Sequence, residues 1–238
     1  IKKKVQVIYE GELEKIHYLK NSEDISKDIV SKLKNHETFR KLFTNFLNEI
    51  GYNKGGTFWD RFVVRVAPAE NNLPYREASR INIHRDTWGT NLYQQINWWA
   101  PVSNVEEKNT MIFYPDYFDV PVKNTTSTWD LNIYLANRKK GDFSYPSAPQ
   151  LKEDLPSNIK KIPVTIKPGE ILCFSGAHLH SSSKEKSENT RISFEIRTIC
   201  ENDLNSSAQA PNVDCDLQWK FPKIFKKIND NSPLKITS

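Results

Sequence analysis

A chain of 238 residues can bury a sizeable core as one large domain, and an apolar share of 37% with no apolar run of bilayer length excludes a membrane-spanning helix. Its 34 basic and 29 acidic residues leave a net charge of +5, and the lysine clusters (Lys2 to Lys4, Lys139-Lys140, Lys160-Lys161, Lys226-Lys227) are scattered, which argues against a nucleic-acid partner. Cys173, Cys200 and Cys215 show no C-x-x-C spacing, which excludes a zinc site, and with an N-terminus lacking a secretory apolar stretch the expected location is cytoplasmic.

In chain order, residues 22–50 predict helix. Ser22 is a candidate cap, and Ile25, Ile29 and Leu33, then Phe39, Leu42, Phe43, Phe46, Leu47 and Ile50, recur at three-four spacing until Gly51. The polar Asn35-His36 pair predicts a split into two helices; His36 and His17, among polar neighbours, read as surface histidines. After Gly55-Gly56 the period becomes 2, with Phe62, Val64 and Val66 alternating with Val63 and Arg65. Further strands are predicted at 80–86, 92–102, 110–114, 162–166, 170–174 and 191–199, punctuated by Pro68, Pro74, Pro101, Pro115 and Lys167-Pro168-Gly169. Residues 201–238 have little periodicity and predict an irregular tail. A helical layer at about 22–50 before many short strands at about 58–200 argues for one α+β domain over 1–238, with helices packed on one face of a jelly-roll barrel.

Within the predicted strand 80–86, His84 and Asp86 of His84-Arg85-Asp86 would point the same way. One further histidine completes two imidazoles and a carboxylate, the set that holds non-haem Fe(II) with open positions. Alone, an H-x-D pair reads as a surface ion pair. What raises it is the order of the later parts: His178-Leu179-His180 far downstream, then Arg191 opening the next strand. His178 and His180 share strand parity, so either suits the third position. In strand 191–199, Arg191, Ser193, Glu195 and Arg197 lie on one face and Ile192, Phe194 and Ile196 on the other. The charged row faces either solvent or a polar lumen. In a lumen, Arg191 would grip a carboxylate co-substrate as a bidentate pair, Ser193 would add a hydrogen bond, and Glu195 would neutralise Arg197. Around 93–100, Tyr93, Gln95, Asn97 and Trp99 share one side and Gln94, Ile96 and Trp98 the other; parity does not tell which faces inward.

These parts resemble the Fe(II)/2-oxoglutarate-dependent dioxygenases, and within them the phytanoyl-CoA dioxygenase-like group. Residues 162–174 resemble that group's strand-turn-strand lead-in to the distal histidine, Leu179-His180-Ser181-Ser182 its L-H-G-S signature, and Asn189 to Arg191 its N…R continuation. The resemblance covers roughly residues 60–200 and departs at Tyr114-Pro115-Asp116-Tyr117, where the group carries P-G-S-H. It implies a double-stranded β-helix (jelly-roll, cupin-like) barrel, and it selects His180 over His178. Fe(II) would be held by His84, Asp86 and His180. 2-Oxoglutarate would be bound by Arg191 and Ser193, with O2 as oxidant. A candidate pocket follows from Gln95, Asn97, Trp98, His178 and Arg197, where comparison with the group's middle strand points to Trp98. Related halogenases replace the carboxylate by a small residue, so Asp86 implies hydroxylation of an unactivated C–H with release of succinate and CO2. The expected substrate is a small polar or carrier-linked metabolite, with Arg65, Arg76, Arg80 and Arg85 as candidate handles near the mouth. Two alternatives stand beside this: a nucleic-acid demethylase of the same superfamily, which also carries two arginines spaced as Arg191 and Arg197 are, and a non-redox cupin-like binding protein.

Overall fold

The computed structural model describes residues 1–67, 81–142, 144–183, 185, 187–206 and 208–236; the candidate handles Arg76 and Arg80 lie outside the described residues. Its first layer is helical: α1 (Lys2–Ile8), a 3-10 turn over Leu13–Tyr18, α2 (Ser22–Leu33) and α3 (Glu37–Glu49). The expected split falls at the polar pair. Asn35 adopts a left-handed φ of 53°, and His36 caps α3 by accepting a hydrogen bond from the Thr38 amide. Gly51, at φ 91°, ends the run. Ile29, Leu33, Phe39, Phe43 and Leu47 form the buried stripe and pack against Val64, Val66, Trp98, Ile192, Phe194 and Ile196. Each such side chain contributes about 1.5–3 kcal/mol when fully buried. His17 is not a plain surface residue: it is half-buried, with its ring Nδ1 2.7 Å from Thr190 Oγ1. No helix of the described residues is long and apolar enough to cross a membrane.

The strands and remaining helices follow in chain order as β1 (Thr57–Trp59), β2 (Val63–Ala67), α4 (Thr87–Thr90), β3 (Ile96–Pro101), β4 (Met111–Phe113), α5 (Leu131–Lys139), β5 (Ile162–Pro163), β6 (Leu172–Ser175), β7 (His180–Ser182), β8 (Arg191–Cys200), α6 (Glu201–Asn205) and β9 (Lys226–Lys227). In the larger sheet β8 is central. Strands β3 and then β6 lie on one flank; on the other, β2 pairs with the first half of β8 (Val63 opposite Glu195) and β1 with the second (Trp59 opposite Thr198), with β9 outside β1. The smaller sheet runs β5-β4-β7, and a single bridge adds His84 beside His180. All these pairings are antiparallel. The α+β expectation therefore holds, with helices on one face of the larger sheet. Among the described residues the two sheets do not hydrogen-bond into a closed cylinder.

Two sequence expectations change. Within the expected strand 80–86, the described residues 81–86 are not a strand: only His84 is bridged, and Asp86 takes helical dihedrals as the residue preceding α4. Its side chain makes no cap hydrogen bond; the carboxylate turns instead to accept from Asn97 Nδ2. The tail is not simply irregular either. It carries α6 and β9, and Asp214 anchors it by accepting from Arg85 Nε (3.0 Å), Trp88 Nε1 (2.7 Å) and the Val122 amide (3.1 Å). Arg85 spends its other N–H groups on the carbonyls of Tyr117, Phe118, Val120 and Ala177. It is a buried tie between the tail, the 117–120 loop and the 177 turn, and so is not a handle for substrate. Above it, Trp88, Tyr114, Trp129, Tyr134, Leu179, Cys215 and Leu217 form a second core. Breaking one partner of a buried ion pair strands the other charge, so Asp214→Ala is expected to cost about 3–5 kcal/mol in denaturant unfolding. A loss below about 1 kcal/mol, the range of exposed pairs, would contradict this reading of the tail.

Candidate metal centre

The backbone brings the two histidines together before any side chain acts. His84 N donates to His180 O at 2.9 Å and His180 N to His84 O at 3.0 Å, which leaves the ring centroids 4.3 Å apart. Asp86 reaches the same point from the start of α4. His84, Asp86 and His180 each offer one ligand atom, all within 4.8 Å of one another. His180 Nε2 lies 3.6 Å from Asp86 Oδ2, and His84 Nε2 lies 3.9 Å from Asp86 Oδ1. Each ring is fixed from behind: His84 Nδ1 is 2.8 Å from Asn82 O, and His180 Nδ1 is 2.9 Å from His178 O. A proton on Nδ1 satisfies these carbonyls and leaves each Nε2 lone pair facing the carboxylate, which is the tautomer a metal needs. The acceptors assign that tautomer.

His178 does not join the set. Its Nδ1 lies 3.2 Å from Ser175 O, and its ring packs 4.5 Å from Phe118 and 5.6 Å from Phe113. It belongs to an aromatic wall that also includes Phe174, whose ring lies 5.3 Å from that of His180.

Burial lowers His180 to about 4, the neighbouring His84 adds to this, and Asp86 opposes it. Burial alone would raise the Asp86 carboxyl, but His180, His84, Arg197 and the Asn97 hydrogen bond outweigh it and hold the group below its ordinary value. At neutral pH the site thus offers a carboxylate and a neutral His180, with no proton to displace. For the metal-free protein the sign of the pH effect follows. Between about pH 6.5 and 4 the unfolded chain protonates His180 and the folded chain does not, so stability falls as pH falls through that window. Thermal melts at pH 7 and pH 4.5 should show this drop, and His180→Gln should remove part of it. An equal drop in the variant would contradict the assignment.

Behind Asp86 runs a chain of amides. Asn97 Nδ2 donates to Asp86 Oδ2, Gln95 Nε2 to Asn97 Oδ1 at 3.0 Å, and Thr90 Oγ1 to Gln95 Oε1 at 3.2 Å. A Cβ on Gly176 would sit 2.5 Å from Gln95 Nε2, so only glycine lets this chain close. Asn97 therefore touches the triad, and Gln95, fully buried, stands behind it. Trp98, one residue out of phase, does neither: its Nε1 donates to Thr198 Oγ1 at 2.8 Å, and its ring packs edge-on to Phe43, Phe46 and Tyr52.

The charged row of β8 faces the same interior, while Ile192, Phe194 and Ile196 enter the helical core. Arg191 is 3% exposed, its Nη1 donating to Asn109 O at 3.1 Å and its Nη2 to Ser182 Oγ at 3.4 Å, with Cζ 5.9 Å from the Trp99 ring. The Ser193 hydroxyl, on the same face, is buried with no hydrogen-bond partner among the described residues. The pairing of the other charges differs from expectation. Glu195 binds Arg65 at 2.6 Å, because β2 sets Arg65 opposite Ser193. Arg197 binds Asp60 at 2.6 Å, because the chain between β1 and β2 brings Asp60 to it, and its Nη1 lies 3.8 Å from Asp86 Oδ1. Arg65 is thus committed within the sheet and is not a handle at the mouth. Asp60, Thr90 and Asn109 had no sequence signal, since each acts from a loop or from the end of a short helix.

No protein-family model matches the chain, and no curated protein matches it. Among solved structures it is similar to the apo form of the non-heme monooxygenase ThoJ (14% identity, 82% of this chain, 61% of that chain, TM-score 0.41). It is also similar to EvdO2 from Micromonospora carbonacea var. aurantiaca complexed with 2-oxoglutarate (11% identity, 77% of this chain, 65% of that chain, TM-score 0.42). A third is SnoN, the non-heme alpha ketoglutarate dependent epimerase from nogalamycin biosynthesis (16% identity, 69% of this chain, 59% of that chain, TM-score 0.39). The chain spans about three fifths of the length of ThoJ, where 61% is covered.

Proposed function

We propose that this chain is an Fe(II)- and 2-oxoglutarate-dependent oxygenase, and the observation that carries the reading is the convergence of His84, Asp86 and His180. Two imidazoles and one carboxylate on one side of a point fit Fe(II) and leave the other side open. The 2-oxoglutarate half rests on Arg191 and Ser193: a buried guanidinium, and on the same strand face a buried hydroxyl without a partner among the described residues, suit the distal carboxylate of that acid. Iron with 2-oxoglutarate and O2 supplies oxidative decarboxylation to succinate and CO2 coupled to C–H oxidation.

The protein's part is placement. Asn82 and His178 carbonyls fix the histidine tautomers, Asn97 orients the Asp86 carboxylate, and Arg197, held by Asp60, offsets the negative charge beside it. Phe113, Phe118 and Phe174 give one wall of the interior an apolar, water-excluding surface. We read the two antiparallel sheets as the halves of a jelly roll, and the chain as a hydroxylase of the phytanoyl-CoA dioxygenase-like group. Its substrate is a small polar or carrier-linked metabolite that fits between the sheets. A non-redox binding protein would have no use for a metal triad joined to a carboxylate receptor.

The test is succinate release from Fe(II)-loaded protein with 2-oxoglutarate and O2, screened against amino acids, sugar derivatives, acyl-CoA esters and methylated single-stranded DNA and RNA. Stimulation by a member of the first three groups is the expected result. Stimulation by the nucleic acids alone would overturn the substrate class. Absence of any 2-oxoglutarate consumption by the loaded protein would overturn the oxygenase reading.

A further inference from the structure

On the far side of the larger sheet, away from the metal triad, the surface carries an open depression of about 430 Å³ between α3, β1 and the 228–231 turn. That volume lies in the range of small-ligand pockets, about 300–1,000 Å³. Its chemistry is lopsided. Arg40 lies over the Trp59 ring at 4.4 Å, and its Nη2 donates to Asn231 Oδ1 at 3.2 Å. Among the described residues no carboxylate lies within ion-pair distance of Arg40; Glu37, the acid in the lining, is bonded to Lys41 at 2.7 Å. Burial pulls the Arg40 guanidinium below its ordinary value. Trp59, also in the lining, is 3% exposed, and its Nε1–H has no acceptor among the described residues. A buried donor without an acceptor costs about 1–3 kcal/mol. Asn35 and Asn45 add further donors to the lining.

We propose that this depression is a second ligand site, distinct from the metal centre, that takes a small oxyanion: the phosphate or carboxylate group of a metabolite-sized molecule. A guanidinium lying flat on an indole still presents its N–H edge, which matches a phosphate or carboxylate as a bidentate pair. The anion supplies Arg40 with the counter-charge that no carboxylate among the described residues provides. Ile228 gives the remaining apolar wall for the carbon portion of the ligand. Nothing in this site depends on iron or 2-oxoglutarate.

The experiment is nuclear magnetic resonance of the indole N–H signals of the whole chain, with the Trp59 signal identified by Trp59→Phe. Inorganic phosphate and acetate are titrated separately against chloride at equal ionic strength. The expected result is a saturable shift of the Trp59 signal by one or both oxyanions, weakened at least about tenfold in Arg40→Gln, where the charged fork is lost. Phosphate alone, or acetate alone, would tell which group the ligand carries. No saturable shift, or the same shift in Arg40→Gln, would overturn the proposal. Should Arg40→Gln fail to fold, calorimetric phosphate and acetate titrations of Arg40→Lys, which keeps the charge and loses the fork, make the same comparison: weaker binding supports the site and unchanged binding overturns it. Asp86→Ala should leave oxyanion binding here unchanged, and tighter binding in that variant would place the anion beside Arg197 in the metal centre instead.

Discussion

Asp86→Ala is expected to abolish tight Fe(II) binding, with affinity falling by more than about 100-fold, the upper range for losing merely an outer partner of a metal ligand. Asp86 is the anionic member of the triad, and its two oxygens face the two Nε2 atoms at 3.6 and 3.9 Å. Its loss leaves two imidazoles and no carboxylate ligand, with the Arg197 guanidinium, whose Nη1 lies 3.8 Å from the missing group, offset by Asp60 alone among these ion pairs. The loss should appear in anaerobic metal titration, with the fold preserved by circular dichroism. Parental affinity in the folded variant would remove Asp86 from the ligand set.

Arg191→Ala should separate co-substrate from metal. The guanidinium is fixed by Asn109 O and Ser182 Oγ and shares a strand face with the buried Ser193 hydroxyl, so an entering carboxylate meets donors that are already oriented. A hydrogen bond to a charged group contributes about 1.5–3 kcal/mol, so 2-oxoglutarate binding should weaken by roughly 10- to 150-fold. Iron affinity should stay within about threefold, because Arg191 is not among the ligand atoms. Arg191→Lys should recover part of the loss, since lysine restores the charge without the fork. Unchanged 2-oxoglutarate affinity in Arg191→Ala, measured by titration, would contradict the role.

What the sequence conveyed divides along physical lines. The period-2 row of β8 was legible because its alternate face is apolar and must enter the helical core, so Arg191, Ser193, Glu195 and Arg197 had to share the opposite side. The helix break at Asn35-His36 was legible for a similar local reason, a left-handed residue followed by a cap. The three residues named from the sequence do converge, although strand geometry was the wrong reason for Asp86, which arrives from a helix start. Trp98 was misplaced because alternation gives two sets and no sign, and the register with β8 supplies the sign. Asp60, Asp214 and the role of Arg85 were hidden, since each depends on a partner distant in sequence: Arg197 for Asp60, Asp214 for Arg85. The helices α1 and α5 lacked a strong apolar stripe, burying only Val5 and Tyr134 respectively.

The central claim is that His84, Asp86 and His180 hold one metal ion. Anomalous diffraction from crystals grown with Mn(II), a redox-stable substitute for Fe(II), tests it most directly. The account predicts one strong peak at coordination distance from His84 Nε2, His180 Nε2 and an Asp86 oxygen. A peak bound instead by His178, or no peak among these three side chains, would contradict it.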